Sequence, residues 1–219
     1  MPKLASLKQP DTLAKLAYGA IREYILSGQW KIGVLYNEKA IAADLGISRT
    51  PVREALLELA SQDLILFLPR RGLMINRFTL RDVDEIFELR KAIEMAAVEK
   101  VSRATPPFDL FEIEKSLFRQ RKSAKQEDYS SFIEADRLFH TSFSELTNNR
   151  RMIAILENIR DMIHLMGVKA LGLKGRSKEV IQEHQAIFEA VKKGDVEEAR
   201  RSMSYHLDQS KAAVKETEL

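Results

Sequence analysis

Residues 48–56 read Ser-Arg-Thr-Pro-Val-Arg-Glu-Ala-Leu, and they follow directly on Asn37-Glu38-Lys39-Ala40-Ile41-Ala42-Ala43-Asp44-Leu45-Gly46-Ile47. Asn37 is suited to cap a short helix that runs to Leu45, with Glu38 favourably placed in its first turn. Gly46 stops that helix, and Ser48 is placed to cap the next, which extends to about Ser61 and buries Val52, Leu56 and Leu59. A short helix, a glycine turn and a second helix make the helix-turn-helix pattern. Arg49 and Arg53 are four residues apart, so both project from one side of the second helix in its N-terminal half. There a recognition helix meets base edges and phosphates. Thr50 adds a short donor and acceptor, and Ser48 leaves the helix N-terminus open to a phosphate.

Upstream, Leu13, Leu16, Ala17, Ala20, Ile21, Tyr24 and Ile25 recur at helical spacing and stop at Gly28. Downstream, Leu64 to Leu68 is short and β-prone, and Pro69-Arg70-Arg71-Gly72 forms a turn before Leu73-Met74-Ile75. The front of the chain, residues 1–78, therefore reads as three helices and a β-hairpin. Arg70 and Arg71 at the hairpin tip are placed as a wing that reaches a neighbouring groove or backbone. The competing reading is that all four arginines merely keep an exposed surface soluble.

Charge supports a division of labour. Residues 1–78 hold 11 Lys/Arg and 7 Asp/Glu, a net +4, whereas 79–219 hold 24 and 25, a net −1. Nucleic acid suits the front. The absence of cysteine removes thiolate zinc sites, iron–sulfur clusters and cysteine nucleophiles. The longest apolar run, Leu64–Leu68, falls far short of the roughly 20 residues needed to cross a bilayer. The N-terminus, with Lys3, Lys8 and Asp11, has no signal-peptide core. The expectation is a cytoplasmic protein with no membrane partner.

Residues 79–219 read as about six helices, at roughly 79–103, 109–126, 128–147, 150–168, 176–193 and 195–215. Pro106-Pro107 separates the first two, Asp128 and Asp195 sit at plausible caps, and Gly167 to Gly175 is the flexible link. In the first helix Arg90 lies within the stripe of Val83, Ile86, Phe87, Ile93 and Ala97. A buried guanidinium needs an anion, either a carboxylate from another helix or a ligand. In the third, Asp136 falls inside the stripe of Phe132, Ala135, Phe139, Phe143 and Leu146, and His140 at its edge is placed at i+4 to reach the same point. His184 is central to the stripe of Val180, Ile187, Phe188 and Val191. His206 is central to that of Val196, Ala199, Met203 and Ala213. His164 instead falls on the polar side of its helix with Glu157, Arg160 and Asp161. One inward His is ordinarily a hydrogen-bonded core residue. Three with an Asp suit Zn, Ni, Mn or Fe, with positions left open if the ion takes five or six ligands.

The run from Asn37 through Ser48-Arg49-Thr50-Pro51-Val52-Arg53-Glu54-Ala55-Leu56 to Arg71-Gly72 closely resembles the winged helix-turn-helix of the GntR family of bacterial transcription regulators, over residues 13–77. The resemblance implies that Arg49 and Arg53 contact bases and phosphates, with Thr50 on the backbone. It also implies that Lys39 sits on flanking phosphates and that Gly72 lets the wing, with Arg71, approach the minor groove. Asn37, Ile32 and Asp63 depart from the residues usual in the family, away from the implied DNA face.

Residues 79–210 resemble the FCD ligand-binding domain of the FadR subfamily. The resemblance is carried by Glu88-Leu89-Arg90 with Glu94, Asp136-x-x-Phe139-His140, Asn149, Glu183-His184-x-x-Ile187, Gly194-Asp195, Ala199 and Met203-x-x-His206. In metal-binding members the residues matching Asp136, His140, His184 and His206 hold a divalent ion and an organic acid completes its shell, with Arg90 suited to pair with the acid. Six helices place the domain nearer the VanR-like branch. The expected protein is mainly α, a winged helix-turn-helix followed by an all-α FCD-type bundle. It is expected to be a homodimer that binds double-stranded DNA at a near-palindromic operator and answers to a small carboxylate. The rival readings are a metal-free regulator that binds the acid through Arg90 and the His cluster, and a metal-dependent hydrolase. Against the hydrolase, no further inward base is evident.

Overall fold

The chain's local stop signals decide where its elements end. The computed structural model describes residues 11–105 and 107–217; Lys3, Lys8 and Pro106 lie outside them. Thr12 caps α1 (Leu13–Leu26) and Asn37 caps α2 (Glu38–Asp44), accepting from the Lys39 amide. After α2 the chain turns at Gly46, φ 66°, where Gly46 N–H donates to Ala43 O and Ile47 N–H to Ala42 O. These are the paired bonds of a glycine-closed helix end. The end of α3 (Arg49–Ser61) is built the same way on a non-glycine residue. Asp63 adopts φ 56°, with Asp63 N–H on Ala60 O and Leu64 N–H on Leu59 O. Asp tolerates this region better than most residues, so departure from the family pattern leaves the turn intact.

Strands β1 (Ile65–Leu68) and β2 (Gly72–Ile75) pair antiparallel, with Ile65 opposite Ile75 and Leu68 opposite Gly72. Tyr36 extends the ladder by exchanging backbone bonds with Leu73 at 2.8 and 2.9 Å. Gly72, at φ 122°, is pressed against the Tyr36 carbonyl so closely that a Cβ would overlap it. That close approach needs glycine. Ala17, Ile21 and Ile25 of α1 pack toward α3, whose Val52, Ala55, Leu56 and Leu59 are buried. Leu13, Leu16 and Tyr24, on the same periodic stripe, remain exposed.

The chain divides after Arg77. The second unit holds α4 (Leu80–Ser102), α5 (Phe111–Lys125), α6 (Tyr129–Leu146), α7 (Arg150–Leu171), α8 (Arg176–Lys193) and α9 (Val196–Glu216). Thr79 and Asp82 form a reciprocal capping box at the start of α4, and Asp128 and Asp195 cap α6 and α9. α5 packs chiefly on α6, while α9 packs on both α4 and α8. A core of Val98, Leu117, Phe139, Phe143, Ile187 and Met203 fills the space between them.

Two expectations for α7 need correction. The helix continues through Gly167 to Leu171, so the link shrinks to Gly172–Gly175, closed by Gly175 at φ 88°. Gly167 is there for packing: a Cβ would sit 2.6 Å from Ile133 Cδ1 on α6. Asp161, expected on a solvated face, is 3% exposed and paired with Arg160 at 3.0 Å. A helix with neighbours on several sides has no wholly polar side, which periodicity alone does not reveal.

Candidate metal centre and nucleic-acid interface

In the first unit, α3 and the hairpin converge on one groove, lined by Glu38, Arg49, Arg53, Arg70, Arg71 and Gly72 among others. Ser48, Thr50 and Lys39 are exposed but do not line it. Ser48 opens α3 with extended backbone and its hydroxyl makes no cap bond. The structure adds a residue that the sequence reading treated only as helix-end charge. Glu38 Oε1 accepts from Arg49 Nε at 3.2 Å and Nη2 at 3.1 Å, and Oε2 accepts from Arg53 Nη1 at 3.1 Å. The arginine side chains are 65% and 61% exposed, the carboxylate 14%. A largely covered anion thus holds two exposed guanidinium groups side by side, as a phosphate would.

In the second unit, α6, α8 and α9 bring His140, His184 and His206 together at their Nε2 atoms. His206 Nε2 lies 3.1 Å from His140 Nε2 and 3.2 Å from His184 Nε2. Asp136 closes the group, 3.6 Å from His184 Nε2 and 3.8 Å from His140 Nε2. Packing fixes the rings: His184 stacks on Phe139 at 4.1 Å and 10°. Each remaining ring nitrogen faces a side-chain oxygen. His184 Nδ1 meets Gln120 Oε1 at 2.9 Å, and His206 Nδ1 meets Glu183 Oε2 at 2.7 Å. His140 Nδ1 lies 2.5 Å from Glu94 Oε2, without the alignment of a hydrogen bond.

The Glu183 carboxylate only accepts, so His206 carries its proton on Nδ1, and Gln120, with Oε1 turned to the ring, orients His184 the same way. Burial then resists a second proton, holding His184 well below the ordinary imidazole range, reinforced by the neighbouring imidazoles. His206 is also lowered by burial, with Glu183 opposing. Two Nε2 lone pairs therefore face each other at 3.2 Å, with the Ser210 hydroxyl 3.5 Å from that of His206. Three imidazole donors aimed at one point, with the other ring nitrogens oriented by oxygens from behind, fit a divalent cation. Among the described residues His140, His184 and His206 form the group whose ligand atoms lie close enough together to hold an ion, and Asp136 stands beside it.

A cavity beside the site is lined by Asp136, His206, Arg90 and Arg176, with apolar walls. Arg90 is 4% exposed, and its anion is on its own helix, not another: Nε donates to Glu94 Oε1 at 2.8 Å. Its guanidinium lies over the Phe87 ring, 5.1 Å from the centroid. Burial pushes the Glu94 carboxyl up, but Arg90 and His140 outweigh it and hold it at about 2. Arg176, not anticipated from sequence, grips Glu183 through both Nη atoms at 2.6 and 2.9 Å and reaches Ser210 Oγ at 3.0 Å. Gln120, Glu183 and Arg176 thus complete the site from behind. The only sequence signal among them was Glu183, adjacent to His184.

Comparison with known proteins agrees with this architecture. Residues 13–75 match the family model "Bacterial regulatory proteins, gntR family", and residues 85–209 match that of the FCD domain. The chain is 32% identical over 204 residues to the HTH-type transcriptional regulator YdhC of Bacillus subtilis, spanning 92% of this chain and 91% of that protein. It is 27% identical over 203 residues to the gluconate operon transcriptional repressor of Bacillus licheniformis, spanning 90% and 82%. The fold is shared with E. coli McbR/YncC, at a TM-score of 0.80 and 23% identity over 94% of this chain and 99% of that one. Among the described residues no helix is long and apolar enough to cross a membrane. These relatives are regulators, not enzymes. The chain belongs to the GntR family of bacterial transcription regulators, with a winged helix-turn-helix followed by an FCD domain.

Proposed function

We propose that this protein is a ligand-responsive regulator that binds a near-palindromic operator as a homodimer, its operator affinity governed by a small carboxylate in the FCD cavity. Residues 1–78 read DNA, and 79–219 bind the effector and dimerise. Arg49 and Arg53 contact bases and phosphates, with Thr50, Ser48 and Lys39 on the backbone and Arg71 and Gly72 bringing the wing to the minor groove. A symmetric dimer calls for symmetric half-sites.

Asp136, His140, His184 and His206 would hold a divalent ion, of which Zn, Ni, Mn and Fe suit the donors. Such an ion supplies an electrophilic anchor for a carboxylate. The chain's own residues do the rest. Gln120 and Glu183 orient the imidazoles, and Arg90 offers the cavity a cation already neutralised on one edge by Glu94. Acid binding between α4, α6 and α9 then shifts the placement of the two recognition helices, with a coupling typically of about 1–3 kcal/mol.

The observation that carries this reading is the convergence of three buried Nε2 atoms, with the His184 and His206 rings oriented from behind by Gln120 and Glu183. Elemental analysis with native mass spectrometry tests it, on wild type and His184→Ala purified without chelator or nickel resin. An equimolar divalent ion lost in the variant supports it. Metal-free wild type that still binds an acid would transfer the role to Arg90 and direct recognition.

A further inference from the structure

We infer that the effector is a short carboxylic acid whose tail is bare hydrocarbon, not a polyhydroxylated sugar acid. The inference rests on the proposal that an acid occupies the FCD cavity and narrows which acid. The cavity's lining sets a few polar groups, among them Arg90, Asp136 and His206, among the apolar side chains of Phe87, Ile133, Met166, Leu171, Val180 and Val214. The remaining polar side chains on the wall, Arg176 and Ser210, are engaged chiefly with each other and with Glu183. Both Nη atoms of Arg176 are taken by Glu183 and Ser210, and the Ser210 hydroxyl oxygen accepts from Arg176. A polyhydroxylated ligand would lose many water partners and find few replacements on this mainly apolar lining.

Size points the same way. The cavity amounts to about 40 Å³, against roughly 10–15 Å³ for a single water. It therefore takes a chain of a few carbons. Two of its lining residues meet where α6 packs on α7, with Ile133 Cδ1 filling the space a Cβ on Gly167 would need. The likeness to a gluconate operon repressor does not bring a sugar acid to this cavity, because such an acid would press several hydroxyls against these walls.

Isothermal titration of the full-length protein, purified without chelator, tests this with isosteric acids. Valerate and 4-hydroxybutyrate differ by a methyl against a terminal hydroxyl, and gluconate and octanoate extend the comparison. Valerate is expected to bind at least about tenfold more tightly than 4-hydroxybutyrate, with gluconate and octanoate weaker still. Ile133→Ala, which removes lining bulk, is expected to improve octanoate relative to valerate. Equal or tighter binding of 4-hydroxybutyrate or gluconate overturns the hydrocarbon tail and leaves the acid reading standing. An unchanged chain-length order in Ile133→Ala overturns the size limit. If none of the four acids binds, the acid reading itself falls and takes this inference with it.

Discussion

The Nε2 atoms of His184 and His206 face each other at 3.2 Å while Gln120 and Glu183 engage the opposite ring nitrogens. With the Nδ1 atoms turned to these oxygens, the contact brings two lone pairs together, and a bound cation would stabilise it. Any ion that binds only the folded chain stabilises it by about 2.7 kcal/mol at a hundred times its Kd. Thermal melts are therefore expected to rise with added Zn or Mn and to fall with chelator. In His184→Ala and His206→Ala neither addition should move the midpoint. A wild-type melt indifferent to all these ions would sink the metal site.

The residues behind the imidazoles should matter almost as much as the imidazoles. Gln120 is fully buried, and Gln120→Leu keeps its bulk while removing the oxygen that fixes the His184 ring. Loss of such an orienting partner costs about 10- to 100-fold in metal affinity. Competition against a metallochromic chelator measures it, with far-UV circular dichroism as the check on folding. Unchanged affinity in a folded variant would show that the ring is held by Phe139 stacking alone.

On the DNA face, Arg49→Ala and Arg53→Ala are each expected to abolish specific operator retention, at about 1–3 kcal/mol per base-contacting arginine, with the circular dichroism of wild type. Glu38→Gln should act differently. It keeps the shape but removes the charge that occupies both guanidinium groups, freeing them for any phosphate. Affinity for random-sequence duplex should rise, and the ratio of operator to random binding should fall. Titrations of both duplexes across a salt series check this. An unchanged ratio would confine Glu38 to a structural role.

Much of this molecule is legible in local chemistry. Asn37, Gly46 and Ser48 announce the helix-turn-helix because caps and left-handed turns are decided by neighbouring residues. The inward faces of His140, His184 and His206 follow from helical period. What escaped lies where two elements meet. Glu38 and Arg53 are joined across α2 and α3, Gln120 and His184 across α5 and α8, and Ile133 and Gly167 across α6 and α7. Period gives a face but not what that face touches, and so Gly167 read as a break when it is a point of close packing.

The capping box at the start of α4 gives the first element of the FCD domain a dependence on pH. Thr79 N–H donates to Asp82 Oδ2 at 2.6 Å, and Asp82 N–H donates to Thr79 Oγ1 at 3.2 Å. The backbone bond from Thr79, then its hydroxyl, holds the Asp82 carboxyl below its ordinary 3.8. A carboxyl whose folded pKa is depressed stabilises the fold fully above its unfolded value and loses that contribution as pH falls through the folded one. Asp82→Ala should therefore destabilise by about 0.5–1 kcal/mol near neutrality, discounted for partial exposure. The gap between variant and wild type should narrow once pH drops below about 4. Urea titrations at neutral pH and near pH 3 measure both ends. A gap that stays constant would mean that the contribution of Asp82 to the helix start does not depend on its charge.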